Sequence, residues 1–415
     1  MKDFKLEFQE IDQSYSHMNL QKTLKGNVKQ SVGNLVTVLL NPKYSKAKKL
    51  YEGQIFYDKF TNEIKIQGKI IGEKGIRPNQ IRLWDDSLNN RLGLEIEKHY
   101  DLNYNANKMW EAIRFVANQY EVSPPKQYLE RLNWDGDEGA IRKLLPTYLG
   151  AEDTDLNAWI MEHMVVGLIK RIMEPGSKFD EMMVLVGGQG IGKSTFARYL
   201  AIEEDWFCTI ENIQGKDAVM NLMGKTVVEI EEFVALRNAK SANEAKSFLS
   251  KLSDRIRIPY EKFSTDVPRT CILIGTLNER TFLNDHTGER RYLPIECFKD
   301  KRIKAIYPDK NYLENLSEKE YLASIKEDFN QALAYGYKLY KEKKHSWTLP
   351  KELLADLYRE QEKFKYLNPD VEDIRYFLEE YKPRSQEPNI TCFKELVMQG
   401  YQIKSKSFSE IMDNY

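Results

Sequence analysis

One short stretch carries the strongest chemical signal in the chain: Gly187-Gly188-Gln189-Gly190-Ile191-Gly192-Lys193-Ser194, followed by Thr195. It fits G-x-x-x-x-G-K-[ST]. Glycines at these spacings let the backbone curl until successive N–H groups face an oxyanion. A helix beginning at the end of the loop adds its positive terminus to the same point. On this chemistry Lys193 reaches the outer phosphates of a nucleoside triphosphate, and the Ser194 hydroxyl helps to hold Mg²⁺. A chance glycine-rich turn is the alternative. The apolar run MMVLV before the loop and the helical pattern STFARYL after it argue against chance.

A magnesium–phosphate site also needs a carboxylate at the end of a neighbouring buried strand. The segment Val227-Val228-Glu229-Ile230-Glu231-Glu232 interrupts an apolar run with acids, which is costly unless they meet a cation. Glu229 is assigned to Mg²⁺ and Glu232 to polarising the attacking water, with Glu231 the alternative for that second role. The segment also reads as the start of an acidic helix face. Downstream, the run from Cys271 to Thr276 ends in Leu277-Asn278, and an amide there suits a lytic water, although asparagine after a strand is commonly a turn former. Arg290 and Arg291 in Gly288-Glu289-Arg290-Arg291-Tyr292 suit an arginine finger aimed at a neighbouring subunit's nucleotide; the competing reading is a solvated pair making surface ion pairs. Ser253 to Phe263 alternates basic and apolar residues and then adds Tyr260 and Phe263. It reads either as a hairpin that grips a phosphate backbone and stacks on bases or as a strand with solvated arginines. Lys240, Lys246 and Lys251 lie nearby.

These residues need a scaffold, and the chain divides by pattern into zones that supply one. Residues 1–120 mix β-like runs (LVTVLL at 35–40, QIFYDKF at 54–60, EIKIQGKII at 63–71) with glycine- and asparagine-marked turns, then a helical period at 107–120. This predicts a small α+β domain. Residues 121–180 read as helical, interrupted at Pro124-Pro125, with a turn-rich insert at 133–139 and a long apolar helix at 157–173. Residues 181–314 alternate short apolar strands with helices, the rhythm of a buried and mostly parallel sheet. Residues 315–415 are charged and helical, ending in a small unit from Thr391 to Tyr415.

Composition narrows the classes further. Lys+Arg and Asp+Glu number 62 and 63, a net charge of -1, so any basic surface is local rather than global. Four scattered cysteines form no C-x-x-C pair, which speaks against structural zinc and a disulfide framework and fits a reducing compartment. The amino terminus carries acids and lacks the apolar core of a signal peptide. No apolar run reaches the roughly 18–20 residues of a membrane span. The expected location is the cytoplasm, with no membrane partner.

The order GGQGIGKST, EIEEF, SDRIRIPY, VPRTCILIGTLN, GERRYLPI resembles the virulence-associated protein E family, P-loop ATPases of phages and phage-derived islands related to superfamily 3 helicases. YLERLNWDGDEGAIRKLLPTYLGAED and RIMEPGSKFDEMMVLVG extend the likeness over about 125–300. The resemblance implies an α/β P-loop NTPase core of AAA+-like kind, ATP and Mg²⁺ as cofactors, ring assembly (typically hexameric) and work on DNA in replication. It places Lys193, Ser194 and the rest of Gly187–Thr195 at the nucleotide, Glu229 and Glu232 in the acidic motif, Asn278 at the sensor position and Arg290 or Arg291 at the finger. Two departures stand out: the acidic motif lacks adjacent Asp-Glu, and the amino-terminal zone has no acidic metal motif of a primase. The expected function is therefore a DNA-dependent, helicase-like ATPase. The alternative is an oligomeric ATP-dependent switch that recruits replication or packaging proteins without unwinding DNA. A small-molecule kinase is the third reading, and no segment suggests its acceptor pocket or lid.

Overall fold

The computed structural model describes residues 6–7, 18–40, 51–70, 73–100, 102–103, 105–213, 215–231, 239–257, 264–278, 289–307 and 317–364. Glu232, Tyr260, Lys262, Phe263, Gly288 and the unit from Thr391 to Tyr415 lie outside the described residues.

The chain opens with helix α1 (Val32–Leu40), then strands β1 (Tyr51–Asp58), β2 (Glu63–Ile70) and β3 (Ile81–Leu83). Helices α2 (Asp86–Tyr100) and α3 (Ala106–Ala117) and the short strand β4 (Glu121–Val122) follow. The four strands form one sheet in the order β3-β2-β1-β4. β1 and β2 are an antiparallel hairpin, in register from Tyr51↔Ile70 to Asp58↔Glu63. Asn62 closes its turn in the left-handed region at φ 57, a conformation asparagine tolerates better than most residues.

LVTVLL is helical, not a strand. Asn34 through Leu39 are all buried in α1, so the run is buried on every side and shows neither the two-residue nor the 3.6-residue period. The Asn34 side chain fixes the helix start, accepting from Gln21 N and donating to the carbonyls of Gln21 and Lys29.

Helices α4 (Pro124–Arg131), α5 (Ala140–Leu149) and α6 (Asp155–Met173) lead to the larger sheet. Pro124-Pro125 does not interrupt a helix; it opens α4, where the missing N–H of proline costs nothing. Next come β5 (Met182–Val186), α7 (Lys193–Leu200), β6 (Phe207–Ile210), α8 (Gly215–Leu222) and β7 (Val227–Glu231). After them lie α9 (Ala239–Leu249), the antiparallel pair β8 (Ser253–Ile256) and β9 (Thr265–Pro268), then β10 (Ile272–Leu277) and β11 (Tyr292–Glu296). Helices α10 (Glu318–Glu342) and α11 (Lys351–Glu362) complete the described chain.

The larger sheet is parallel throughout, in the order β11-β5-β10-β7-β6. β5 is buried at all five positions, which its unbroken MMVLV composition requires of a strand covered on both faces. The fold is thus mixed α/β around a parallel sheet. One core gathers α5, α6, α7 and α10, with Ile160, Met164, Phe196 and Phe329 at its centre. Close approach of α10 to α6 depends on Gly336, where a Cβ would fall 2.6 Å from Val165 Cγ1. Ser317 and Glu320 cap α10 reciprocally, each side chain accepting the other residue's backbone N–H. The β1–β2 turn plants Phe60 in this core against Trp206, ring centroids 5.7 Å apart, and so ties the smaller sheet to the larger unit.

Candidate nucleotide site

Parallel strands gather ligand sites at their carboxyl ends, and of the residues singled out by type and spacing Lys193, Ser194, Glu229, Glu231 and Asn278 meet there. Val186 ends β5 and Lys193 begins α7, with Gly187–Gly192 as the loop between them. Gly192 is the residue before the helix and sits at φ 107, where a Cβ would lie 2.4 Å from Ile306 Cγ2. Only glycine meets both demands without strain.

Lys193 folds over its own loop. Its Nζ donates to Gly187 O at 2.5 Å, Gly188 O at 2.8 Å and Asn278 Oδ1 at 3.1 Å. Burial pushes its ammonium below the ordinary lysine range, with Glu229 among the groups opposing that shift. β10 lies between β5 and β7 in the sheet, which is why Asn278 falls beside Lys193 although 85 residues separate them.

Ser194 Oγ donates to Glu229 Oε1 at 2.6 Å. Glu229 is 1% exposed, and two further hydroxyls hold it: Thr276 Oγ1 donates to Oε1 at 2.8 Å and Thr209 Oγ1 to Oε2 at 3.1 Å. These bonds satisfy a carboxylate that would otherwise be costly to bury. The two threonines escape sequence reasoning, because a hydroxyl inside a strand carries no motif. The available signal is register: Thr209 is the β6 partner of Glu229, and Thr276 is the β10 partner of Glu231.

Strand alternation puts Glu231 on the same face as Glu229, and Glu231 is exposed at the strand's end. A cavity of about 410 Å³ opens over the loop and is lined also by Glu231, Thr276, Asn278 and Tyr307. Tyr307 and Arg302 are two further residues that the sequence gives no reason to select. The Tyr307 hydroxyl donates to Gly190 O, and Arg302 Nη1 donates to Ile191 O. Among the described residues no cluster of three or more His, Cys, Asp or Glu could by itself hold a metal ion. Ser194 and Glu229 nevertheless present hard oxygen donors side by side, which suits Mg²⁺ carried in with phosphate oxygens.

The two arginines part company. Arg290 is exposed, whereas Arg291 Nε lies 3.1 Å from Asp180 Oδ2, the side chains 18% and 9% exposed. In the hairpin, Arg269 is buried against Asp254, its Nε donating to Oδ2 at 2.6 Å. Lys251 also lies 3.6 Å from Asp254, and Arg255 lies 3.6 Å from Asp266. Burial pushes the Cys208 thiol up to about 11 and the Cys297 thiol up to about 12, so neither is a reactive thiolate. No described helix is long and apolar enough to cross a membrane.

A family model described as the virulence-associated protein E-like domain matches residues 129–366, more than half of the chain. Among solved structures the chain is similar to an A-form apo structure of the NrS-1 C-terminal region, at 15% identity over 89% of this chain and 84% of that one, TM-score 0.44. A second A-form structure of that region gives 16% identity, the same coverages and a TM-score of 0.47. An apo structure gives 17% identity over 89% and 83%, with a TM-score of 0.46. No curated protein matches.

Proposed function

The chain belongs to the virulence-associated protein E-like family, and from that premise we propose that it is a P-loop ATPase acting on DNA in the replication of a mobile element. The observation that carries the reading is the hydroxyl–carboxylate contact of Ser194 and Glu229 at 2.6 Å, made where a glycine loop becomes a helix. That contact would pair the magnesium-holding hydroxyl of a phosphate loop with an acid on β7, one strand beyond β10.

On this reading the loop N–H groups and the start of α7 receive the phosphates. Lys193 exchanges its carbonyl partners for phosphate oxygens. Ser194 and Glu229 would hold Mg²⁺, which would supply positive charge to offset that on the phosphates. Glu231 lines the cavity on the strand face of Glu229, so on this reading Glu231 rather than Glu232 polarises the attacking water. Asn278 positions the water. Arg290 acts at the nucleotide of a neighbouring subunit in a ring, and Arg291 supports it through Asp180.

The test is steady-state ATP hydrolysis with and without single- and double-stranded DNA at two salt concentrations. Lys193→Ala should lower turnover by at least about a hundredfold, the scale on which losing a positioned transition-state donor acts. DNA stimulation that fades with salt supports the motor. Turnover in Lys193→Ala equal to wild type sinks the site. One observation favours the second reading, a protein-recruiting switch: of the described basic residues in and beside the hairpin, Arg255 lies 3.6 Å from Asp266 and Lys251 3.6 Å from Asp254, so each has a carboxylate partner within the chain. Hydrolysis indifferent to DNA selects that reading.

A further inference from the structure

The cavity over the glycine loop has two chemically different ends. Asn278 and Lys193 engage the Gly187–Gly188 half of the loop through the lysine ammonium. The segment that follows β11 wraps the other half. There Tyr307 OH donates to Gly190 O at 3.1 Å, while Arg302 Nη1 donates to Ile191 O and to the Tyr307 hydroxyl, both at 3.2 Å. Arg302 is 7% exposed, and its guanidinium carbon lies 5.2 Å from the centroid of the tyrosine ring. Ile306 fills the space that a side chain at position 192 would need.

Tyr307 is the one aromatic among the described residues that line the cavity. It is held at three points: its hydroxyl on the loop, its ring beside a buried guanidinium, and its chain neighbour Ile306 wedged against Gly192. A ring fixed in this way offers a flat apolar surface at little further entropy cost, which is what a stacking platform for a base needs. The end of the cavity where the Lys193 ammonium meets Asn278 suits the reacting phosphate. A nucleoside triphosphate laid on the loop with its terminal phosphate there extends its nucleoside toward the Gly190–Gly192 side.

We propose that Tyr307 is the base-contacting residue of this site, the wall on which the base of a bound nucleoside triphosphate rests. The proposal depends on the phosphate-loop reading above and adds the direction in which the nucleotide lies. It also gives the residues after β11 a task that no motif assigned them.

The experiment is calorimetric titration of the full chain, in Mg²⁺, with two probes: ATP, and inorganic tripolyphosphate, which has the phosphates but no base. Tyr307→Ala should weaken ATP binding by roughly tenfold, the effect of losing one base–aromatic stack, and leave tripolyphosphate binding as in wild type. Tyr307→Phe keeps the ring and should recover most of the ATP affinity. Unchanged tripolyphosphate binding also reports that the variants have folded around the loop. If Tyr307→Ala loses both probes equally, the tyrosine merely shapes the loop through its hydroxyl and the proposal is overturned. If it loses neither, the base lies elsewhere and the proposal is again overturned, while the phosphate-loop reading survives. A wild-type chain that binds neither probe overturns both.

Discussion

Asp180 and Arg291 meet just ahead of the strand that feeds the glycine loop, Oδ2 3.1 Å from Nε, with both side chains largely out of solvent. Asp180 stands two residues before β5, and Arg291 ends the short 3-10 turn that enters β11. β11 and β5 are hydrogen-bonded neighbours in register from Tyr292↔Met182. The ion pair therefore clamps the entry of two adjacent strands and fixes where the preceding residue, Arg290, leaves the sheet. Two arginines that look equivalent in sequence thus divide into one paired within the chain and one exposed.

This division makes the pair separable by experiment. Arg291→Ala leaves Asp180 without its cation and should lower unfolding free energy by roughly 1–3 kcal/mol, measured by urea denaturation. Arg290→Ala should stay within about 0.5 kcal/mol of wild type, as exposed substitutions do, yet lose ATP turnover if it serves a neighbouring subunit. Equal stability losses in both variants, or full turnover in Arg290→Ala, would contradict the division.

Glu229 and Glu231 share a strand face but not a surrounding. Glu229 is enclosed by the hydroxyls of Ser194, Thr209 and Thr276, whereas Glu231 is exposed at the cavity. Glu229→Gln should therefore weaken Mg²⁺-dependent ATP binding as well as turnover. Glu231→Gln should bind Mg-ATP with affinity near that of wild type while turnover falls by about a hundredfold or more, the effect of losing general-base help. Measuring binding and turnover separately decides the matter. Full turnover in Glu231→Gln would return the role to Glu232.

A second pair of acids meets two histidines away from the loop. His163 on α6 is stacked between Trp159 and Phe179, ring centroids 4.6 and 5.0 Å away. Its Nδ1 lies 3.0 Å from His345 Nε2, and His345 Nδ1 lies 2.7 Å from Glu162 Oε1. Glu181 is 3.6 Å from the other nitrogen of His163. Burial holds His163 below the ordinary histidine value of 6.5, against the opposing pull of Glu181 and Glu162. A histidine depressed in the folded state takes up its proton first in the unfolded chain. Stability is then full above about pH 6.5 and declines as pH falls from there toward the folded value. The urea midpoint should drop between about pH 7.5 and about pH 5.5, above the range in which Glu181, itself held below 4.5, begins to protonate. His163→Gln should flatten that drop, and an unchanged slope in the variant would assign the effect to other groups.

Much of this arrangement is legible from sequence where local chemistry repeats a pattern. The loop from Gly187 to Ser194, the apolar strands around it and Asn278 are all recognisable, because each combines a residue type with a flanking periodicity. What is not legible depends on contacts between distant segments. Thr209 and Thr276 matter only because strand order brings both to Glu229. Asp180 matters because β11 runs beside β5. The helix at 32–40 is misread as a strand because a helix buried all round has no polar face to reveal its period. Tyr307 and Arg302 stand in no motif, and their place follows from the chain turning back over the loop after β11.

The backbone at Gly192 gives the last prediction. Its φ of 107 lies in a region that side chains rarely adopt, and a Cβ there would approach Ile306 Cγ2 to 2.4 Å. Gly192→Ala therefore faces a steric clash and a strained backbone together, the latter costing about 1–3 kcal/mol. Two responses are open. If the chain keeps the backbone, Ile306 must move and the segment carrying Arg302 and Tyr307 moves with it. If it keeps the packing, the turn into α7 must change, and Ser194 leaves Glu229. Either response disturbs the cavity, so ATP binding should fall by at least about tenfold, well beyond what the loss of stability alone implies for a folded fraction that remains near one. Gly188→Ala is the control: no atom lies within 4 Å of a Cβ at that position, and its stability should match wild type. Equal stability and equal ATP binding in Gly192→Ala would show that the loop does not rely on the conformation at 192.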